Sequence, residues 1–289
     1  MRQTITAVHT PFLAGGPERL FRVGPVTQDR ERVTGSMRTG AWMLSPGGEP
    51  CRGSLGVLAD DILGYAVIAR GSPGQWGVST EISVDFCSPL PIDGSTLYAE
   101  SQMVEVDTVG GLARGRIVNR AGSTIAFSSQ RVRFVPAPPP RQVSGEDAAA
   151  HHDSGPRTGP DSLLRQDPVT TADLIGATTR RHDGGATLVL AGSLDVSNPM
   201  GSMHGGIALC ASEIAGQTAL QGSSPPLVTA SIHIVYLRPV PVDGDVRFRA
   251  TVLHRGRTLG VAQVVSHNSA GKACTMATVT CHQPLGICH

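Results

Sequence analysis

Between Val246 and Val252 the chain alternates strictly. Val246, Phe248, Ala250 and Val252 point one way, and Arg247, Arg249 and Thr251 the other. A period of two predicts a strand with one buried face. Similar runs predict strands near 76–88, 95–107 and 112–135, and again near 186–195, 228–237, 245–255, 258–268 and 273–282. Residues 32–44 read as a further strand. Two stretches break this period. Residues 53–69 are small and apolar, and in 205–221 Ala208, Ala211, Ala215 and Ala219 recur at helical spacing. Each predicts one long helix that can lie close against a curved sheet. A short helix is expected at 171–177, capped by Thr170 or Thr171.

These elements come in the same order twice. RGSLGVLADDILGYA (52–66) matches HGGIALCASEIAGQTA (204–219), with Asp61 on Glu213, Gly53 on Gly205, Ile62 on Ile214 and Gly64 on Gly216. VSTEISVDFCSPLPIDG (78–94) matches VTASIHIVYLRPVPVDG (228–244), and Asn119–Gly122 matches Asn268–Gly271. Small drifts in offset suit loop insertions between two copies of one domain. The boundaries read as 28–136 for the first copy and 170–284 for the second. Between them, 137–169 is rich in Pro, Gly and Ser and reads as an exposed linker. One long helix against at least four antiparallel strands per copy is an α+β design. Two copies in one chain are expected to pack as a pseudo-dimer, with sites where they meet.

Composition removes some functions. Lys+Arg 24 against Asp+Glu 23 gives a net charge of +1 over 289 residues. That is no footprint for nucleic acid or a membrane surface. No signal peptide and no membrane-spanning run is read, so a cytoplasmic location is expected. The six cysteines form no C-x-x-C pair and read as buried thiols in a reducing compartment. Cys281-His282, Cys288-His289 and the linker pair His151-His152 match no zinc template, so no metal is expected.

The chemistry concentrates in NPMGSMHGGIALCASE (198–213). An amide, Asn198, precedes a tight turn, and His204-Gly205-Gly206 then opens a helix. Helix starts carry unpaired N–H groups, and glycine lets a ligand approach them. A carbonyl oxygen held there would be polarised. Glu213 lies nine residues beyond His204, too far up the helix to serve its own copy. With antiparallel neighbouring helices, such an acid can face the partner's helix start.

The pattern N-x5-HGG-x6-[D/E] resembles the hotdog-fold acyl-CoA thioesterases of the PaaI-like family, over about 30–136 and 170–283. The resemblance implies a tandem (double) hotdog, each copy an antiparallel sheet wrapped around one long helix, forming an intrachain pseudo-dimer. It implies hydrolysis of an acyl-CoA thioester to free acid and CoA, with CoA present only as part of the substrate and no cofactor. Asn198 and the Gly205 N–H match the carbonyl-binding positions. Asp61 and Glu213 match the acid that acts as nucleophile or general base from the other protomer. Ser79 and Thr229 match the assisting hydroxyl. In the first copy Arg52 replaces the His, Ser54 the second Gly, and Pro46 stands where Asn would be.

Two unlike sites are therefore expected. One combines Asn198, His204 and Gly205 with Asp61 and Ser79 and is complete, although Asp60 leaves open which acid faces it. The other combines Arg52 and Gly53 with Glu213 and Thr229 and lacks the amide. Gly206, Arg238 and Arg257 are candidate substrate contacts, the arginines for CoA phosphates. A homodimer of double hotdogs is expected. Two other readings stay open: a non-catalytic protein that binds acyl-CoA or another apolar ligand, and an enoyl-CoA hydratase, whose D-x-N-P-x-H spacing Asp195, Asn198 and His204 miss.

Overall fold

The structure, a computed structural model, describes residues 15–29, 32–137, 169–222 and 226–284. The first copy opens with α1 (Gly16–Leu20), β1 (Thr27–Gln28) and β2 (Arg32–Arg38), then α2 (Gly56–Ile68). It continues through β3 (Gln75–Phe86), β4 (Thr96–Val106), β5 (Gly110–Val118) and β6 (Thr124–Pro136). The second copy runs α3 (Thr171–Leu174), β7 (Ala177–His182), β8 (Gly185–Leu190), α4 (Gly205–Leu220), β9 (Val228–Tyr236), β10 (Val246–Arg255), β11 (Leu259–His267) and β12 (Ala273–His282). Most of the linker lies outside the described residues.

All strands join one antiparallel sheet in the order β1-β2-β4-β5-β6-β3-β9-β12-β11-β10-β8-β7. The two halves of this order mirror one another about the β3–β9 pair. There Ile82 faces Ile234 and Val84 faces Ile232. Ser83 faces His233, its own counterpart in the repeat, at 2.7 Å between Oγ and Nδ1. The pseudo-twofold axis therefore passes between Ser83 and His233. This is the isologous pairing expected of a fused dimer.

The sheet wraps α2 and α4, and both helices are buried on nearly every face. Ala208, Ala211, Ala215 and Ala219 are fully buried. Gly64 and Gly216 hold matching places. A Cβ on Gly216 would come within 2.9 Å of Val279, and one on Gly64 within 3.8 Å of Gln130. The alternation in β10 holds: Val246, Phe248 and Ala250 are buried, and Arg247, Arg249 and Thr251 are exposed.

The structure departs from expectation in a few places. The run 112–135 is two strands, because Asn119–Gly122 turns the chain. Asn119 Oδ1 accepts the Ala121 and Ser123 amides, and Gly122 sits at φ +83°. The strand expected over 32–44 stops at Arg38. The helix expected over 171–177 is a single turn, boxed by Thr170 and Asp173 and ended by Gly176 at φ +67°. Residues 177–182 then form an edge strand whose exposed Thr and Arg conceal its period. Cys87 is exposed rather than buried, because it follows the end of β3. Among the described residues no helix is long and apolar enough to cross a membrane.

Candidate active site

The starts of α2 and α4 touch backbone to backbone. A Cβ on Gly206 would collide with the Gly56 backbone and the Val57 nitrogen. His204 caps α4, so the Gly205 N–H at the first helical position has no acceptor within its own helix. A cavity of about 460 Å³ opens beside this junction. Its lining includes the polar Asp60, Asp61, Ser79, Gln130 and Asn198 with Gly205, and the apolar Ile68, Trp76, Val78, Val132 and Val135.

Asp60 crosses from the first copy to the second. Its Oδ2 accepts the Gly206 N–H at 3.0 Å and lies 3.2 Å from His204 Nδ1. Its Oδ1 accepts from Ser79 Oγ at 2.8 Å and from Gln130 Nε2 at 2.7 Å. Gln130 Nε2 also donates to Ser79 Oγ at 2.6 Å. A register shift between Ser79 and Glu81 on β3 brings Ser79 to the same face as Gln130; bulges re-aim side chains in this way next to sites. The Gln130 Oε1 acceptor is buried without a hydrogen-bond partner among the described residues.

Asp61, one residue on, meets a different group. Its Oδ1 lies 3.2 Å from His204 Nε2, and its Oδ2 is buried without a hydrogen-bond partner among the described residues. Burial pushes its carboxyl up to about 7, with Glu18 and Asp60 adding to the rise and His204 opposing it. For His204, burial favours the neutral ring, but Asp60, Asp61 and Glu18 outweigh it and raise the imidazole to about 9. The Gly206 N–H also lies 3.1 Å from His204 Nδ1, so that amide is shared between the imidazole and Asp60 Oδ2. Glu18, on α1, completes the group: its Oε1 is 3.9 Å from His204 Nε2. Tyr236 donates to the Gly205 carbonyl at 2.7 Å and so holds the helix start from below. Burial raises its phenol well above the usual range.

Asn198 lines the cavity, but its side chain is mostly engaged. Oδ1 accepts the Met200 and Ser202 amides, and Nδ2 donates to Ser202 Oγ. One Nδ2 hydrogen remains for a ligand. Arg238 also lines the cavity and is exposed. Arg257 does not line it. It sits two residues beyond Arg255, whose guanidinium bonds the Ala219 carbonyl at the opposite end of α4 from Gly205.

The second half-site is filled by its own acid. Glu213 is fully buried. Oε1 accepts the Arg52 N–H at 3.1 Å, and Oε2 accepts the Gly53 N–H at 2.8 Å and the Cys51 thiol at 3.0 Å. The carboxylate thus occupies the amides of the 3-10 turn Arg52–Leu55 that leads into α2, the place a carbonyl would need. Burial pushes its carboxyl up, against the pull of these donors and of Thr229. Arg52 stacks over Phe86 and bonds the Thr229 carbonyl. Opposite Ile232, in the place that Gln130 takes opposite Ile82, stands Val279.

Glu18, Gln130 and Tyr236 are absent from the expected site. Gln130 had a signal, since it is a polar residue on the inward face of a strand whose repeat counterpart is valine. Glu18 precedes the repeat and had none.

Residues 194–282 match the family model described as the acyl-CoA thioesterase N-terminal domain, and residues 3–134 match that described as the C-terminal domain. The order along this chain is the reverse of those descriptions. Among solved structures, a proposed thioesterase II from Thermobifida fusca superposes with TM-score 0.61 at 12% identity, covering 94% of this chain and 100% of that one. The acyl-CoA thioesterase II of Mycobacterium marinum gives 0.57 at 9% identity, covering 93% and 99%. A hot dog fold protein from Alicyclobacillus acidocaldarius gives 0.56 at 10% identity, covering 94% and 100%. No curated protein matches the sequence.

Proposed function

Since the chain belongs to the acyl-CoA thioesterase family and is a thioester hydrolase of hotdog fold, we propose that it hydrolyses acyl-CoA in the cleft where Asp60 meets Ser79, Gln130 and the start of α4. That convergence is the observation that carries the reading. Three elements of one copy and the helix start of the other meet at a single carboxylate.

The thioester carbonyl sits against the Gly205 N–H, aided by the free Nδ2 hydrogen of Asn198. The dipole of α4 stabilises the negative charge that develops on the oxygen. A water molecule is held by the unpartnered Gln130 Oε1 and by Asp60. Asp60 accepts its proton as it attacks, acting as general base; the tetrahedral intermediate then collapses with cleavage of the C–S bond, and the proton held by Asp60 passes to the departing CoA thiolate. Ser79 and Gln130 fix the carboxylate, and Asp61 acts through His204 to hold the imidazole beside it. The acyl group lies along Ile68, Trp76, Val78 and Val132, and Arg238 at the rim contacts CoA phosphate. The exposed Asp195 plays no part, so the hydratase reading gains no support. The filled Glu213 half-site does not turn over.

Release of free thiol from a panel of acyl-CoA substrates tests this. Water addition to an enoyl-CoA without thiol release, or tight acyl-CoA binding without turnover, would overturn it.

A further inference from the structure

Glu18, Asp61 and His204 come from three distant segments and meet in the wall of the cavity. Each is at least nine-tenths buried, and one ligand atom from each lies within 4.8 Å of the others. With Asp60, three carboxylates share this pocket with one imidazole. Among the described residues the only ionic partner within 4.0 Å of Glu18, Asp60 or Asp61 is His204. Burying that much negative charge is costly unless a cation compensates. The Asp61 Oδ2 atom adds a second observation, because it is buried with no hydrogen-bond partner among the described residues, on a side chain that lines the cavity.

We propose that Glu18, Asp61 and His204 form a binding site for one divalent transition cation such as zinc. Two carboxylate oxygens and an imidazole nitrogen suit such an ion. Ligands about 2.1 Å from one ion lie within about 4.2 Å of each other. The Asp61–His204 and Glu18–His204 separations of 3.2 and 3.9 Å meet that limit. The Glu18 carboxylate is already oriented, because Gly15 N–H holds its Oε2 at 2.7 Å and leaves Oε1 toward the ring. Nδ1 faces Asp60 and the Gly206 N–H, so Nε2 is the nitrogen left facing Glu18 and Asp61. A metal-bound histidine is commonly held by a carboxylate in this way. The cavity supplies an entry path and room for a water as fourth ligand. The ion would neutralise the acids and tie α1 to the starts of α2 and α4.

The full-length chain, stripped with EDTA and freed of chelator, is titrated with zinc chloride by calorimetry. One zinc per chain is expected, with a rise in melting temperature on binding. Glu18→Gln and Asp61→Asn should each weaken binding at least tenfold while circular dichroism stays unchanged. X-ray absorption of the zinc-loaded wild type guards against a misfolded variant. An imidazole and oxygen shell supports the site, and sulfur ligands overturn it. Stoichiometry well below one, or variants that bind as tightly as wild type, also overturns it. Thiol release is read separately, so this outcome is distinguishable from failure of the hydrolase reading.

Discussion

Asp60 Oδ2 stands 3.0 Å from the Gly206 amide, a contact that ties the helix of one copy to the helix start of the other. Among the described residues, the side chain of its neighbour Asp61 hydrogen-bonds only His204. Asp60→Asn should therefore lower kcat by about 10²–10⁴, the usual worth of a general base. Asp61→Asn should cost less, because His204 keeps its contact with Asp60. Steady-state kinetics on both variants decides, and equal losses or the reverse order would remove Asp60 from the role of base.

Gln130→Leu keeps most of the volume and removes both the bond to Asp60 and the acceptor for water. It should depress kcat with little change in KM. A rise in KM at unchanged kcat would show that Gln130 only shapes the binding wall.

Gly206→Ala tests the contact between helix starts. Its Cβ would meet the Gly56 backbone, which cannot rotate away as a side chain can. A loss of about 1–3 kcal/mol in urea unfolding is expected from such overpacking. An unchanged midpoint would mean that the helices do not approach as described.

Glu213 separates structure from turnover. Glu213→Ala orphans the buried Gly53 amide and the part-buried Arg52 amide, costing about 1–3 kcal/mol. Glu213→Gln keeps an acceptor and should leave thiol release nearly intact. A large fall in turnover with Glu213→Gln would mean that the second half-site is active.

The same residue predicts a pH effect. Burial raises its carboxyl in the folded state, so the native form holds the proton more firmly than the unfolded chain does. Stability from Glu213 is then present below the unfolded carboxylate value, about 4.3, and is lost as pH rises through the higher folded value. Unfolding free energies across that window should slope downward less in Glu213→Gln than in wild type. Identical slopes would show that Glu213 is ionised in the native protein at no cost.

Periodicity and self-similarity along the chain settle the duplicated α+β design, the two long helices, the matching Asn–Gly turns and the strip of residues from Asn198 to Glu213. They suffice because strand and helix periods are local, and because a repeat exposes its own boundaries. Tertiary structure alone decides what each of the two acids meets. Successive residues on a helix point about 100° apart, so Asp60 and Asp61 are told apart only by what stands opposite each, Ser79 and Gln130 for one and His204 for the other. It also decides that Glu213 closes its own half-site and that Glu18 joins the group around His204. Those contacts depend on segments remote in sequence, brought together only when the sheet closes around both helices.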